Sequence, residues 1–169
     1  LRGMNFELTK EFLQELSAAV AKRNGNYVAE KIQDLHPADI AEIFDRIDLF
    51  EAQFIYDLLD EEVASDVLVE LEEDVRDKFL KSFTAQEIAS QVDNMDSDDA
   101  TDLIQDLSEE RKEKVLSKLE DAEQASDIVS LLSYPEDTAG GLMAKEYIKA
   151  NINWTVEECL EELRSQADD

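Results

Sequence analysis

The sequence predicts an all-α chain, a superhelix of short repeated helix pairs, followed by the opening of a small α/β unit. Three observations predict it. Four glycines and two prolines in 169 residues leave little to interrupt helical periodicity. Apolar residues recur three and four apart from Phe6 to Leu132. An Ala-x-x-apolar motif returns along the chain at near-regular intervals, as expected of stacked units that bury their stripes on one another.

Taken in order, Phe6, Phe12, Leu13, Leu16 and Val20 form the stripe of a first helix, which the Asn24–Gly25–Asn26 stretch is expected to end. Val28, Ile32 and Leu35 mark a short second segment. His36 reads as a cap or turn residue. Pro37 suits the first position of the next helix, where its missing N–H is no loss, and Ile40, Ile43, Phe44 and Ile47 give that helix its buried side. The repeat then runs through DIAEIFDRI (39–47), EVASDVLVEL (62–71), EIASQVDNM (87–95), DATDLIQDL (99–107) and QASDIVSLL (124–132). Aligned on Ala41, Ala64, Ala89, Ala100 and Ala125, an apolar residue stands three places later: Phe44, Val67, Val92, Leu103 and Ile128. The alanines lie 23, 25, 11 and 25 residues apart, a main period with one half-step. Second helices fall between them, over 50–59, 75–83 and 111–119. Asp60–Glu61–Glu62 and Glu72–Glu73–Asp74 read as helix starts.

After Leu132 the character changes. Ser133–Tyr134–Pro135 breaks the helix, and residues 137–143, DTAGGLM, form a turn-rich linker with half of all the glycines. Tyr147–Ile148–Lys149–Ala150 reads as a short strand. Thr155-x-x-Glu158 is a capping box that starts a helix running through Leu160 and Leu163 to about Arg164. Cys159 sits beside that helix's apolar stripe and reads as a small buried hydrophobe. The chain opens on Leu1–Arg2–Gly3–Met4 and stops just after this helix, and is read as a piece of something longer.

Charge sets the class of partner. Forty-three acidic residues against sixteen basic ones give a formal net charge of -27, which excludes nucleic acid, since phosphate neutralisation needs clustered Lys and Arg. A hydrophobic content of 43% argues against a disordered acidic tail despite 35% charged residues. A single histidine and a single cysteine remove the usual zinc constellations, and no nucleophile or oxyanion site supports an enzyme. Basic proteins or metal cations are the natural partners.

The densest acid lies in MDSDDATDLIQDL, Met95 to Leu107. Met95, Leu103, Ile104 and Leu107 supply a buried side, while Asp98 and Asp99 both face Asp102, and Asp102 faces Asp106. Capping and the helix dipole account for Asp96, Asp98 and Asp99. Asp102 lies about a turn further on, where the dipole benefit has faded. It pairs with Asp98, and such an i,i+4 carboxylate pair is either a repelling, solvated surface pair or half of a weak, partly hydrated site for a hard cation that prefers oxygen.

The stretches YPEDTAGGLMAKEYI (134–148) and WTVEECLEELR (154–164) resemble the junction between the N-terminal domain and the first CBS domain of MgtE magnesium transporters. LHPADIAEIFDRI (35–47) resembles the opening repeat of that N domain, and the resemblance covers the chain from Leu35 onward. Behind the N-terminal helices that periodicity places over 1–34, it implies an acidic helical repeat over 35–133, a linker over 134–146 and the beginning of a first CBS domain over 147–169. It implies an armadillo- or motor-switch-like superhelix on the cytoplasmic side of a cell-membrane transporter. That transporter would be a homodimer whose pore closes when Mg2+ bridges acidic faces of the N and CBS domains. Asp66, Asp98 and Asp102 match the N-domain contributors to the metal sites, and Gly141 matches a linker glycine that offers its carbonyl. The partner acids would come from the CBS domains of the same chain. A second reading is an acidic protein-interaction scaffold resembling flagellar motor-switch domains, with no metal role.

Overall fold

In a computed structural model, which describes residues 6–135, 138–147 and 150–167, every regular element among the described residues is an α-helix. They are α1 (Lys10–Ala21), α2 (Gly25–Ile32), α3 (Pro37–Phe44), α4 (Leu49–Tyr56), α5 (Glu61–Glu70), α6 (Glu73–Ser82), α7 (Ala85–Val92), α8 (Ser97–Gln105), α9 (Glu109–Leu116), α10 (Ala122–Leu131) and α11 (Val156–Ala167). None is long and apolar enough to cross a membrane.

Local chemistry sets most boundaries. Thr9 caps α1, accepting the Phe12 N–H at 3.1 Å. The helix ends at Ala21 with Lys22 as its C-cap, close to the expected Asn24–Gly25–Asn26, but the left-handed residue is none of those three. Arg23 takes the left-handed φ of 53°, and the Asn24 and Arg23 amides donate back to the Ala19 and Val20 carbonyls. Asn24 is thereby released to cap α2, and Gly25 becomes that helix's first residue. His36 caps α3 through Nδ1, which accepts the Ala38 N–H, and Pro37 occupies the first turn. Reciprocal capping boxes start α4 (Asp48 with Glu51) and α7 (Thr84 with Glu87). The expected box of Thr155 with Glu158 precedes α11.

The helices stack in two rows. α3 packs on α5, α5 on α7 and α7 on α9, while α4 packs on α6 and α8 on α10. Ala41, Ala64, Ala89 and Ala100 are buried at these contacts, and so are Phe44, Val67, Val92, Leu103 and Ile128. Ala125 is only half-buried. The half-step of 11 residues now has a physical meaning. The alanine motif rides on α3, α5 and α7, then changes rows and continues on α8 and α10. An aromatic cluster fills the first half of the stack, with Phe79 stacked on Phe44 at 5.6 Å and tilted against Tyr56 at 5.3 Å. Burial, the larger cause, and the neighbouring Asp57 carboxylate push the Tyr56 phenol above its ordinary range. Its hydroxyl donates to Gln91 Oε1 at 2.8 Å.

Successive units are also stitched by polar side chains that reach back to helix ends. Arg111 donates to the Leu80 and Phe83 carbonyls at 2.7 and 2.8 Å. Gln124 donates to the Val92 and Met95 carbonyls at 2.8 and 2.7 Å. These bonds reach carbonyls at the ends of α6 and α7, where that of Val92 also accepts the Met95 amide.

The chain leaves the stack through the turn around Thr138, whose backbone carbonyl accepts the Gly141 and Leu142 amides. Gly140 is required there for space. A Cβ at this position would meet the Tyr134 ring at 2.5 Å. Of the expected strand, Ile148 and Lys149 lie outside the described residues. Cys159 is half-buried, and Leu160 and Leu163 are partly exposed along α11.

Candidate metal centre at the start of the eighth helix

The start of α8 lacks a lock of its own. Asp96 stands at the N-cap with suitable backbone angles, yet its side chain makes no capping bond. A distant residue supplies the cap. Glu146, in the linker, takes the Ser97 N–H on one carboxylate oxygen and the Ser97 hydroxyl on the other, both at 2.9 Å. The Lys145 amide donates to Ser97 Oγ at 2.9 Å, so Ser97 is gripped from two sides and has no exposed surface. One turn on, Thr101 donates to the Ser97 carbonyl at 2.6 Å.

The candidate ligands lie around this socket. Asp66 is exposed on α5, Asp98 is half-buried in the first turn of α8, and Asp102 is exposed one turn further along it. Asp66 and Asp98 both act electrostatically on Asp96, and Asp98 and Asp102 both act on Asp99. The three therefore share one acidic face with Asp96, Asp99, Glu70 and Glu146. Gly141 is buried in the Thr138 turn, and its amide donates to the Thr138 carbonyl and hydroxyl. No described contact joins it to the three aspartates. Among the described residues, no group of three or more Asp, Glu, His or Cys converges closely enough to hold a metal ion. The donors are all oxygens and mutually repelling, and two sit an i,i+4 step apart, which fits a hard cation that keeps part of its water.

The repulsion registers in the carboxyl groups. Partial burial is the larger cause that raises Asp96 above its ordinary 3.8, followed by the charges of Glu146, Asp98 and Asp66. Asp99 is raised in the same way by burial, then by Asp98, Asp96, Asp102 and Glu70. A carboxyl raised on folding stabilises while it is protonated. Its contribution is complete below 3.8 and lost as pH rises through the raised value. At neutral pH the ionised Asp99 thus costs stability. Asp99→Asn is expected to raise the melting temperature at neutral pH, by progressively less as the solution is acidified toward the raised value. Circular-dichroism melts of both proteins across that range check this, and a lower melting temperature for Asp99→Asn at neutral pH would contradict it. Glu87 has the opposite sign. The Thr84 amide and hydroxyl hold it below its ordinary 4.5, so its contribution is present above that value and lost as pH falls through the lowered one.

The role of Glu146 was not legible from spacing. A local capping box announces itself by Glu or Gln at the third helical position, and α8 has Asp99 there, one methylene shorter. The absence of a local partner does not by itself mark the site, because the starts of α5, α6 and α9 also lack a side-chain cap bond.

Three comparisons bear on what this face belongs to. The family profile described as the MgtE intracellular N domain matches residues 35–137, more than half of the chain. No curated protein sequence matches the chain. A crystal structure of the soluble part of a magnesium transporter is 28% identical. It aligns with a TM-score of 0.78 over 94% of this chain and 62% of that one. A crystal structure of the cytosolic domain of the Mg2+ channel MgtE in complex with ATP is 26% identical, with a TM-score of 0.81 over 93% of this chain and 64% of that one. The chain thus spans less than two thirds of the length of either structure. The helical stack, the match over 35–137 and both structural likenesses agree, and the chain belongs to the MgtE family through its intracellular N domain.

Proposed function

We propose that this chain is the Mg2+-sensing regulatory part of an MgtE-type magnesium transporter or channel, a binding module and not an enzyme. In the parent protein, a homodimer in the cell membrane, it stands on the cytoplasmic side. Residues 35–133 are the sensor stack, 134–146 the linker and 147–169 the beginning of a first CBS domain, with the helices of 1–34 ahead of the stack. The observation that carries the reading is the single acidic face uniting α5, the start of α8 and the linker, on a chain of net charge -27.

Asp98 and Asp102 supply half of a site, Asp66 extends it from α5, and the Gly141 carbonyl joins from the linker. CBS-domain acids further along the same chain complete it. A cation bound there offsets the repulsion between the two faces, and its higher affinity for the joined arrangement makes it a switch. When Mg2+ is scarce the faces repel and the domains part. When it is abundant they close and the pore shuts.

The test is thermal unfolding in MgCl2 against NaCl of equal ionic strength, on the cytosolic region of the parent protein, which carries the completing CBS-domain acids, and on its Asp98→Asn/Asp102→Asn variant. Binding at ten times the dissociation constant stabilises by about 1.4 kcal/mol, so MgCl2 is expected to raise the melting temperature beyond the NaCl control in the wild type alone. Equal effects of the two salts on the wild type would reduce the acidic face to a screened surface. That outcome would favour the protein-interaction scaffold.

A further inference from the structure

The starts of α4, α7 and α11 each have a glutamate three residues after the cap, closing a reciprocal box within one turn. The start of α8 has none, and its buried Ser97 donates N–H and hydroxyl to a carboxylate 49 residues away. Glu146 is held there by two opposed influences. The α8 N-terminus and the Ser97 donors attract it, because a carboxylate at a helix start is favoured. Asp96, adjacent to Ser97, repels it, and Asp66 and Asp98 act on Asp96 alongside Glu146. A bond balanced in this way responds to any change of charge on the face around it.

We infer that residues 142–147 form a latch whose closure is set by the charge of the α5–α8 acidic face: lowering that charge seats Glu146 on Ser97, and restoring it releases the linker. The latch turns charge at the face into order in the segment that leads to α11. Only the identity of the controlling ion rests on the function proposed for this face. The latch and its charge control can be tested with no divalent cation present.

The measurement is amide hydrogen exchange by NMR on the 169-residue chain, followed at the Lys145 and Ser97 N–H groups. Glu146→Ala is expected to speed Ser97 exchange at least fivefold, because it removes the carboxylate that accepts this N–H. In cation-free buffer, Asp66→Asn/Asp98→Asn lowers the charge of the face and leaves the Asp96 cap position unaltered. It is expected to slow exchange at both amides at least twofold. Ser97 exchange at the wild-type rate in Glu146→Ala would overturn the latch. Unchanged or faster exchange in Asp66→Asn/Asp98→Asn would overturn its control by charge. Slower exchange in that variant, together with a wild type that responds equally to MgCl2 and matched NaCl, would support the latch while rejecting Mg2+ as the controlling ion.

Discussion

Phe79→Ala is expected to destabilise the chain by about 3–5 kcal/mol. Phe79 has no exposed surface and stands where the two rows meet. Its ring lies 5.6 Å from Phe44 on α3, 5.3 Å from Tyr56 on α4 and 6.0 Å from Phe83 at the end of its own helix. Truncation removes the transfer energy of the ring and leaves a cavity among groups that cannot all relax, since Tyr56 is also tied to Gln91. Urea unfolding followed by circular dichroism gives the number. Phe79→Leu, which refills most of the volume, should recover more than half of the loss. A loss below about 1 kcal/mol for Phe79→Ala would mean that the first half of the stack is not held by this cluster.

Arg111→Met is expected to cost about 2–3 kcal/mol. It keeps most of the aliphatic stem but removes the guanidinium that donates to the Leu80 and Phe83 carbonyls at 2.7 and 2.8 Å. Two partly buried carbonyls then lose a charged donor, at the point where α9 closes over the end of α6. Arg111→Lys should restore part of the stability, because both bonds leave a single guanidinium nitrogen and a lysine ammonium has the donors to replace them on a shorter stem. Full stability in Arg111→Met would show that water replaces the guanidinium without penalty.

The fold was largely legible because its signals are short-range. Helical spacing, the Ala-to-apolar offset and the local caps at Asp48, Thr84 and Thr155 all act within four residues. A window of sequence contains them whole. The half-step between Ala89 and Ala100 was visible as a number, yet its meaning as a change of row needed the packing of α8 on α10. The end of α1 turns on a single residue that spacing does not reveal. Arg23 takes a backbone conformation usually left to glycine or asparagine, both of which stand directly after it.

The site was legible in part, for the same reason. Asp98 and Asp102 are an i,i+4 pair and announce themselves. Asp66 lies on another helix, and only the family resemblance pointed to it. Arg111, Gln124 and Glu146 gave no local sign, because each completes a helix end dozens of residues away, at a spacing that packing sets.

The long reach of Glu146 also orders events in time. From Tyr56 onward, the side-chain bonds that join one unit of the stack to the next span 26 to 35 residues. The Ser97–Glu146 bond spans 49 and encloses the whole of α9 and α10. As the chain emerges from its N-terminus during synthesis, each unit can dock on the one before it as soon as its own helices are made. The start of α8 must wait two further helices for its cap. Throughout that interval α8 carries its aspartates while Ser97 still awaits Glu146, so the eighth helix is built early and locked late.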